Sequence, residues 1–357
     1  MLVYIGTYTG GKSKGIYVSR FDSATGQLTS PELAVATPDP SFLAKHPEKQ
    51  VLYAAGESSN LDGKGVGAVS AFSLNAKTGQ LTLLNLRSSG GAGPCHIAVD
   101  PTGQCLLVAN YGSGSIAALP IRADGSLAEP GTVIQHHGSS VNSERQAGPH
   151  AHFITPDPAN RFALACDLGL DQVLVYRLDA AKSQLAANDP PFAAVKPGSG
   201  PRHLAFHPSG RFVFVINEMG STLTAFAYDA QRGALKEMQT ISTLPAKFSG
   251  ISFCAEVGVH PTGKFVYGSN RGHDSIAVFG FDPASGKLTC LDYQSTQGKT
   301  PRHFAMDPTG QWLFTENQSS DSIVIFRIDS QTGRLQPTGQ SVSVGAPVCA
   351  VFVRVKE

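Results

Sequence analysis

Charge is scarce in this chain: only 15% of its 357 residues are Asp, Glu, Lys or Arg. Long solvent-facing helices need far more such residues on their outer faces, so an extended helical architecture is excluded. The net charge is +1, too small for the basic footprint of a nucleic-acid binder, and no polyanionic partner is implied. No apolar run has the length of a membrane span, and the opening Met1-Leu-Val-Tyr-Ile-Gly carries no basic leader. A cytoplasmic protein with no membrane partner is the expectation. The six cysteines form no C-x-x-C pair and no close Cys/His spacing, which predicts reduced structural thiols and neither a metal nor another cofactor. Also missing are H-E-x-x-H, the P-loop, the G-x-S-x-G elbow and a dinucleotide fingerprint in a strand-helix context.

What the chain does have is 38 glycines, 23 prolines and 41% apolar residues. Its length exceeds the roughly 250–300 residues at which one hydrophobic core stops growing, so it must be divided or repetitive. A repeat resolves the choice. One phrase recurs at Pro94-Cys-His-Ile-Ala-Val-Asp-Pro, Pro201-Arg-His-Leu-Ala-Phe-His-Pro and Pro301-Arg-His-Phe-Ala-Met-Asp-Pro. After it come a Gly turn, an apolar run ending in Asn, an alternating run, and a Gly-x-Leu phrase. These predict four strands, a to d. The Leu opening strand d occurs at Leu28, Leu81, Leu127, Leu185, Leu235, Leu288 and Leu335.

The last copy of strand a, Ala346-Pro-Val-Cys-Ala-Val-Phe-Val, has nothing after it, while the N-terminus supplies b (Leu2 to Thr7), c (Gly15 to Phe21) and d (Gln27 to Val35). An all-β, seven-bladed propeller of four antiparallel strands per blade is predicted. The C-terminal strand closes the ring in the N-terminal blade, and residues 1–357 form one domain. The longest departure from the repeat is a polar insertion, Gln135 to Gly148.

Because a and b are antiparallel, the start of a lies beside the end of b, at one rim of the ring. The start-of-a column reads Phe42, His96, His150 or His152, Arg202 with His203, Glu256, and Arg302 with His303. The end-of-b column reads Tyr8, Glu57, Tyr111, Asp167, Glu218, Arg271 and Gln318. His96, His203 and His303 repeat at one position, which argues for a shared strand-start device. Asn110, Asn217, Asn270 and Asn317 repeat likewise, which argues for turn chemistry. Arg202, Glu218, Arg271 and Arg302 break the repeat and mark a local demand. Arginine forks suit a carboxylate or phosphate, although mutual salt bridging with Glu218 or Glu256 would also account for them. A His beside such a pocket can serve as general base. Hydrolysis by an activated water at an anion-binding rim is the reaction these residues suit.

The phrases Gly200-Pro-Arg-His-Leu-Ala-Phe-His-Pro, Val215-Ile-Asn-Glu-Met-Gly-Ser, Gly148-Pro-His-Ala-His and Ser269-Asn-Arg-Gly resemble the seven-bladed lactonase family. It includes bacterial propeller-type 6-phosphogluconolactonases and fungal carboxymuconate cyclases. The resemblance implies a pocket with His150, Arg202, Glu218 and Arg271 as catalytic residues. His96, His152, His203, Arg302, His303, Tyr111 and Asn217 are the expected substrate contacts. The implied reaction is hydrolysis of 6-phospho-D-glucono-1,5-lactone, in the pentose phosphate route, by a monomer or weak homodimer acting on an anionic lactone. Rivals are a muconate-type lactonising enzyme, a calcium-dependent lactonase using Glu57, Asp167, Asn217 and Asn270, and a non-enzymatic propeller. Against the last, Trp312 is the only Trp, so the repeated Trp-Asp signature of scaffold propellers is absent.

Overall fold

The computed structural model describes residues 1–61, 63 and 65–354. Within them the chain forms seven antiparallel sheets arranged as blades, and the only helical segments are the 3-10 turns Ala180–Lys182 and Gln318–Ser320. Blade 4 shows the uninterrupted pattern: Pro201–Phe206 (a), Phe212–Asn217 (b), Thr222–Asp229 (c) and Ala234–Ser242 (d). The innermost strands of blades 1, 2, 3, 5 and 6 begin at Pro40, Pro94, Ala151, Phe253 and Pro301. Blade 7 joins the two ends of the chain, with Pro347–Val353 pairing Leu2–Thr7 in the register Leu2↔Val353, Tyr4↔Val351 and Gly6↔Cys349. Its outer strand is broken into Gln27–Leu28 and Glu32–Ala36, where the sequence suggests one run.

Strand b is buried along its whole length in Leu2–Thr7, Cys105–Asn110, Phe162–Asp167, Phe212–Asn217 and Trp312–Asn317. Packed on both faces by neighbouring blades, it reads as a continuous apolar run instead of an alternating one. Each core cluster therefore spans two blades. Tyr53 and Val69 of blade 1 pack with Leu106 and Val108 of blade 2. Val3 and Ile5 of blade 7 pack with Phe314 and Ile325 of blade 6. Trp312 adds to the closure, donating from Nε1 to the Ser23 carbonyl at 2.9 Å.

Two recurring hydrogen bonds explain why the phrase repeats. A strand-b tyrosine donates to a glycine carbonyl in the next blade's c–d turn: Tyr4 to Gly79, Tyr53 to Gly125, and Tyr267 to Gly333, at 2.9, 3.0 and 2.9 Å. All three glycines have positive φ, a conformation that other residues adopt only under strain. A histidine after strand a bonds a glycine carbonyl in the next blade: His46 to Gly103, His207 to Gly263, and His260 to Gly310. Tyr267→Phe leaves the buried Gly333 carbonyl without its donor. The expected result is a loss of about 1–3 kcal/mol in denaturant unfolding with turnover unchanged.

Candidate active site

Every blade carries an irregularity at the start of its innermost strand, where one more residue is used in strand a than in strand b. The residue left unpaired is Ser41, Cys95, His152, Arg202, Arg302 or Val348 in six blades. In blade 5 the pairing skips Ala255 and Glu256 between Cys254 and Val257. A β-bulge re-aims its side chain, and here the bulges aim six side chains at one mouth of the central channel. They line two adjoining cavities that share Glu57, Cys95 and Arg302. The larger, about 310 Å³, is completed by Tyr111, Arg145, His152, Glu218, Phe253 and Arg271.

Glu218 organises this cavity. Its Oε1 accepts from Arg145 Nη2 at 2.8 Å, and its Oε2 lies 2.8 Å from Arg271 Nη2 and 3.1 Å from Arg202 Nε. Carbonyls hold the buried Arg202 and the partly buried Arg271 in place: Arg202 donates to Ala255 O at 2.7 Å and Arg271 to Cys254 O at 2.9 Å. Burial raises the pKa of Glu218, but Arg271, Arg202 and Arg145 outweigh it and hold the carboxyl down at about 2. Glu218 is thus a permanently ionised anchor. Burial, with Arg302 and Arg271 nearby, brings Arg202 down to about 10, still protonated at neutral pH.

Arg145 belongs to the polar insertion and was not picked out by the repeat, because a residue in an insertion has no counterpart to break ranks with. Its position is built. Asn142 Oδ1 accepts from the backbone N–H of Glu144 and Arg145, and Gln146 donates to Leu168 O. Phe253 and Cys95 were also missed as lining residues, since neither carries charge.

The two candidate histidines separate. His152 is the bulge residue equivalent to Arg202 and lines the cavity; its Nδ1 is buried without a partner. Burial first, then Arg202, His203 and Arg302, push its pKa well below the ordinary His value. His150 precedes strand a, half-buried beside the cavity, its ring stacked on Tyr111 at 4.5 Å. Its backbone N–H donates to Asp167 Oδ1, and its Nδ1 lies 3.0 Å from the Tyr111 carbonyl. A carbonyl can only accept, so Nδ1 carries the proton and Nε2 keeps its lone pair.

Other expected contacts lie elsewhere. His96, His203 and His303 follow the bulge and stack one layer deeper, with Phe42 and Phe153, as a plug in the channel. His203 and Glu256 are 3.0 Å apart, His303 and Glu316 2.8 Å. Of the two adjoining cavities His203 and His303 reach the smaller, and His96 reaches neither. Asn217 is not a cavity residue; its amide donates to Thr222 and Thr224. The asparagine column bridges its own b–c turn through side chains, Asn110 to Ser115 and Asn270 to Ser275, and in addition Asn110, Asn270 and Asn317 donate to Ser89 O, Thr243 O and Thr296 O, tying strand b to the segment entering the blade. Asp167 belongs to this column, one place earlier than the sequence alignment put it, because it pairs Ala151 as Asn217 pairs Pro201. Glu57 accepts from the Tyr8 hydroxyl at 2.7 Å. Among the described residues no three His, Cys, Asp or Glu side chains are grouped as metal ligands.

The opposite channel mouth holds a larger cavity, about 540 Å³, but its walls are mostly apolar, with His303 and Asp307 the ionisable residues. The convergent charged groups are all at the first mouth, and that is where chemistry belongs. All six cysteines are free thiols, and no helix among the described residues is long and apolar enough to cross a membrane.

The family described as "Lactonase, 7-bladed beta-propeller" matches residues 2–352. A 6-phosphogluconolactonase of Bacillus subtilis is 37% identical over 351 residues, covering 98% of this chain and 97% of its own. A periplasmic gluconolactonase structure from Pseudomonas aeruginosa superposes with a TM-score of 0.93 at 36% identity, covering all of both chains. A structure of a 6-phosphogluconolactonase candidate from Bacteroides fragilis gives 0.91 at 36% identity, covering 99% of this chain and 98% of its own. With its seven blades, its continuous match and its charged channel mouth, the chain belongs to the seven-bladed β-propeller lactonases, hydrolases that open lactone esters.

Proposed function

We propose that this lactonase hydrolyses 6-phospho-D-glucono-1,5-lactone to 6-phosphogluconate, the lactone-opening step of the pentose phosphate route. The observation that carries the reading is the gathering of Arg145, Arg202, Arg271 and Arg302 around the cavities against only Glu57 and Glu218, a surplus of positive charge that suits an anionic substrate. In this reaction His150 Nε2 takes a proton from water as the water oxygen attacks the lactone carbonyl. Arg271, lining the cavity with one nitrogen held by Glu218, stabilises the oxyanion. Arg202, deeper and held by the Ala255 carbonyl, fixes Glu218. The tetrahedral intermediate then collapses, the ring C–O bond breaks, and the alkoxide takes the proton back from His150. Such a substrate places the protein in the cytoplasm.

Proton release from freshly made 6-phosphogluconolactone, run beside unphosphorylated gluconolactone, tests the reading. The expected result is faster opening of the phosphorylated lactone than in buffer, and a fall of about 100-fold in kcat for His150→Gln, with His152→Asn retaining most turnover. No acceleration of either lactone overturns the reading. Preferential opening of the unphosphorylated lactone moves the chain to the gluconolactonase reading that the Pseudomonas relative represents.

A further inference from the structure

Among the cationic side chains at the channel mouth, Arg302 is set apart. Arg145, Arg202 and Arg271 are all within 3.1 Å of a Glu218 oxygen. The guanidinium of Arg302, among the described residues, forms no ion pair within 4.0 Å and no hydrogen bond; its one recorded partner is the Tyr8 ring, 5.3 Å from its centroid. It comes from a β-bulge and lines both cavities. A guanidinium that faces both cavities with no acceptor among the described residues has its fork of donors free for an anion delivered there. Arg302 is close enough to Arg202 to help lower its pKa, and an anion held between them relieves that repulsion.

Position in the ring separates Arg302 from the reacting end. Glu218, Arg271 and the Arg145–His150 segment lie on blades 4 and 5 and on the connection from blade 2 to blade 3. Arg302, Tyr8 and Glu57 lie on blades 6, 7 and 1, across the mouth. The tyrosine hydroxyl donates to Glu57 Oε2, and that carboxylate favours the charge of Arg302 from a distance without closing an ion pair on it. We propose that Arg302 is the specificity residue that binds the anionic substituent remote from the lactone carbonyl, a phosphoryl group, while Arg202 and Arg271 remain committed to Glu218. This rests on the lactonase reading above and deepens it: the phosphate is read by Arg302, and the Glu218 cluster carries out the opening.

The experiment compares wild type with Arg302→Met and Arg302→Lys on phosphorylated and unphosphorylated gluconolactone, and measures binding of 6-phosphogluconate and gluconate by calorimetry. For Arg302→Met, kcat/KM for the phosphorylated lactone is expected to fall about 10- to 100-fold through KM, with the unphosphorylated lactone changed less than about threefold. The lysine variant, which keeps the charge but loses the fork, is expected to fall between. Unchanged thermal unfolding confirms that Arg302→Met is folded; if it is not, Arg302→Lys alone carries the comparison. An equal loss on both lactones overturns the proposal, since Arg302 would then act at the carbonyl, and so does no loss on either. If wild type opens neither lactone, the hydrolytic reading fails, and the binding arm still decides the role of Arg302. Weaker 6-phosphogluconate binding in Arg302→Met with gluconate unaffected supports it, and equal binding of 6-phosphogluconate by both proteins overturns it.

Discussion

Glu218→Ala is expected to lose more than about 1,000-fold in kcat/KM and about 3–5 kcal/mol of folding stability together. The reason is geometric. One carboxylate holds three guanidinium groups, of which Arg202 is buried and Arg271 partly buried. Removing the anion takes from those charges the counter-ion they share, and breaking a pair that is largely buried is costly. Arg145 is partly exposed and screened, so its share of the stability is left out of that figure. Activity falls because Arg271 loses the contact that aims it. A double substitution separates the two effects. Arg202→Met with Glu218→Met removes a cation as well as the anion, and it is expected to be more stable than Glu218→Ala while remaining inactive. Stabilities that simply add in the double variant would show that Arg202 and Glu218 are not energetically paired, whatever their distance.

The fold was legible because its signal is redundant. Strand b shows up as an apolar run in every blade since both its faces are covered, and the orphan C-terminal strand announces the ring closure. The break in the outer strand of blade 7 is marked in the sequence by Ser30-Pro31, a signal that an apolar pattern alone passes over. The site was legible only where a residue broke the repeat. Arg202 and Arg302 stood out against Ser41 and Cys95, all four occupying the same bulge. The bulge itself is a matter of backbone pairing and has no composition of its own. For that reason the sequence could not tell that His152 enters the cavity while His150 stays beside it, nor that Asp167 aligns with asparagines. Arg145 was hidden for a different reason: it lies in the one segment with no repeat to compare against, and only tertiary contact brings it to Glu218.

The buried histidines of the channel set how the protein responds to acid. His96, His152 and His203 are buried, and burial, aided by neighbouring cations, lowers all three, His203 to about 4 even with Glu256 opposing. In the unfolded chain the same side chains take up protons near pH 6.5. Between that value and about pH 4 the unfolded state therefore binds more protons than the folded one, and stability must fall as pH falls. Two groups act the other way. Burial opposes protonation of His303, but Glu256 and Glu316 outweigh it and raise its pKa, so its contribution is present at acid pH and lost as pH rises through the raised value; Glu316 is raised by burial. Glu218 and Glu256, both held at about 2, withdraw their stabilisation only lower still, between roughly pH 4 and pH 2. His46 and His207 are lowered by burial too, so with five histidines against one, denaturant midpoints are expected to drop from pH 7 to pH 5. His96→Phe tests the cause with little steric change, because Phe42 and Phe153 already occupy the equivalent place in blades 1 and 3. Removing one histidine held neutral is expected to recover about 2 kcal/mol of the loss over that interval. An undiminished acid sensitivity in His96→Phe would mean that His96 gains its proton as readily in the folded protein as in the unfolded chain.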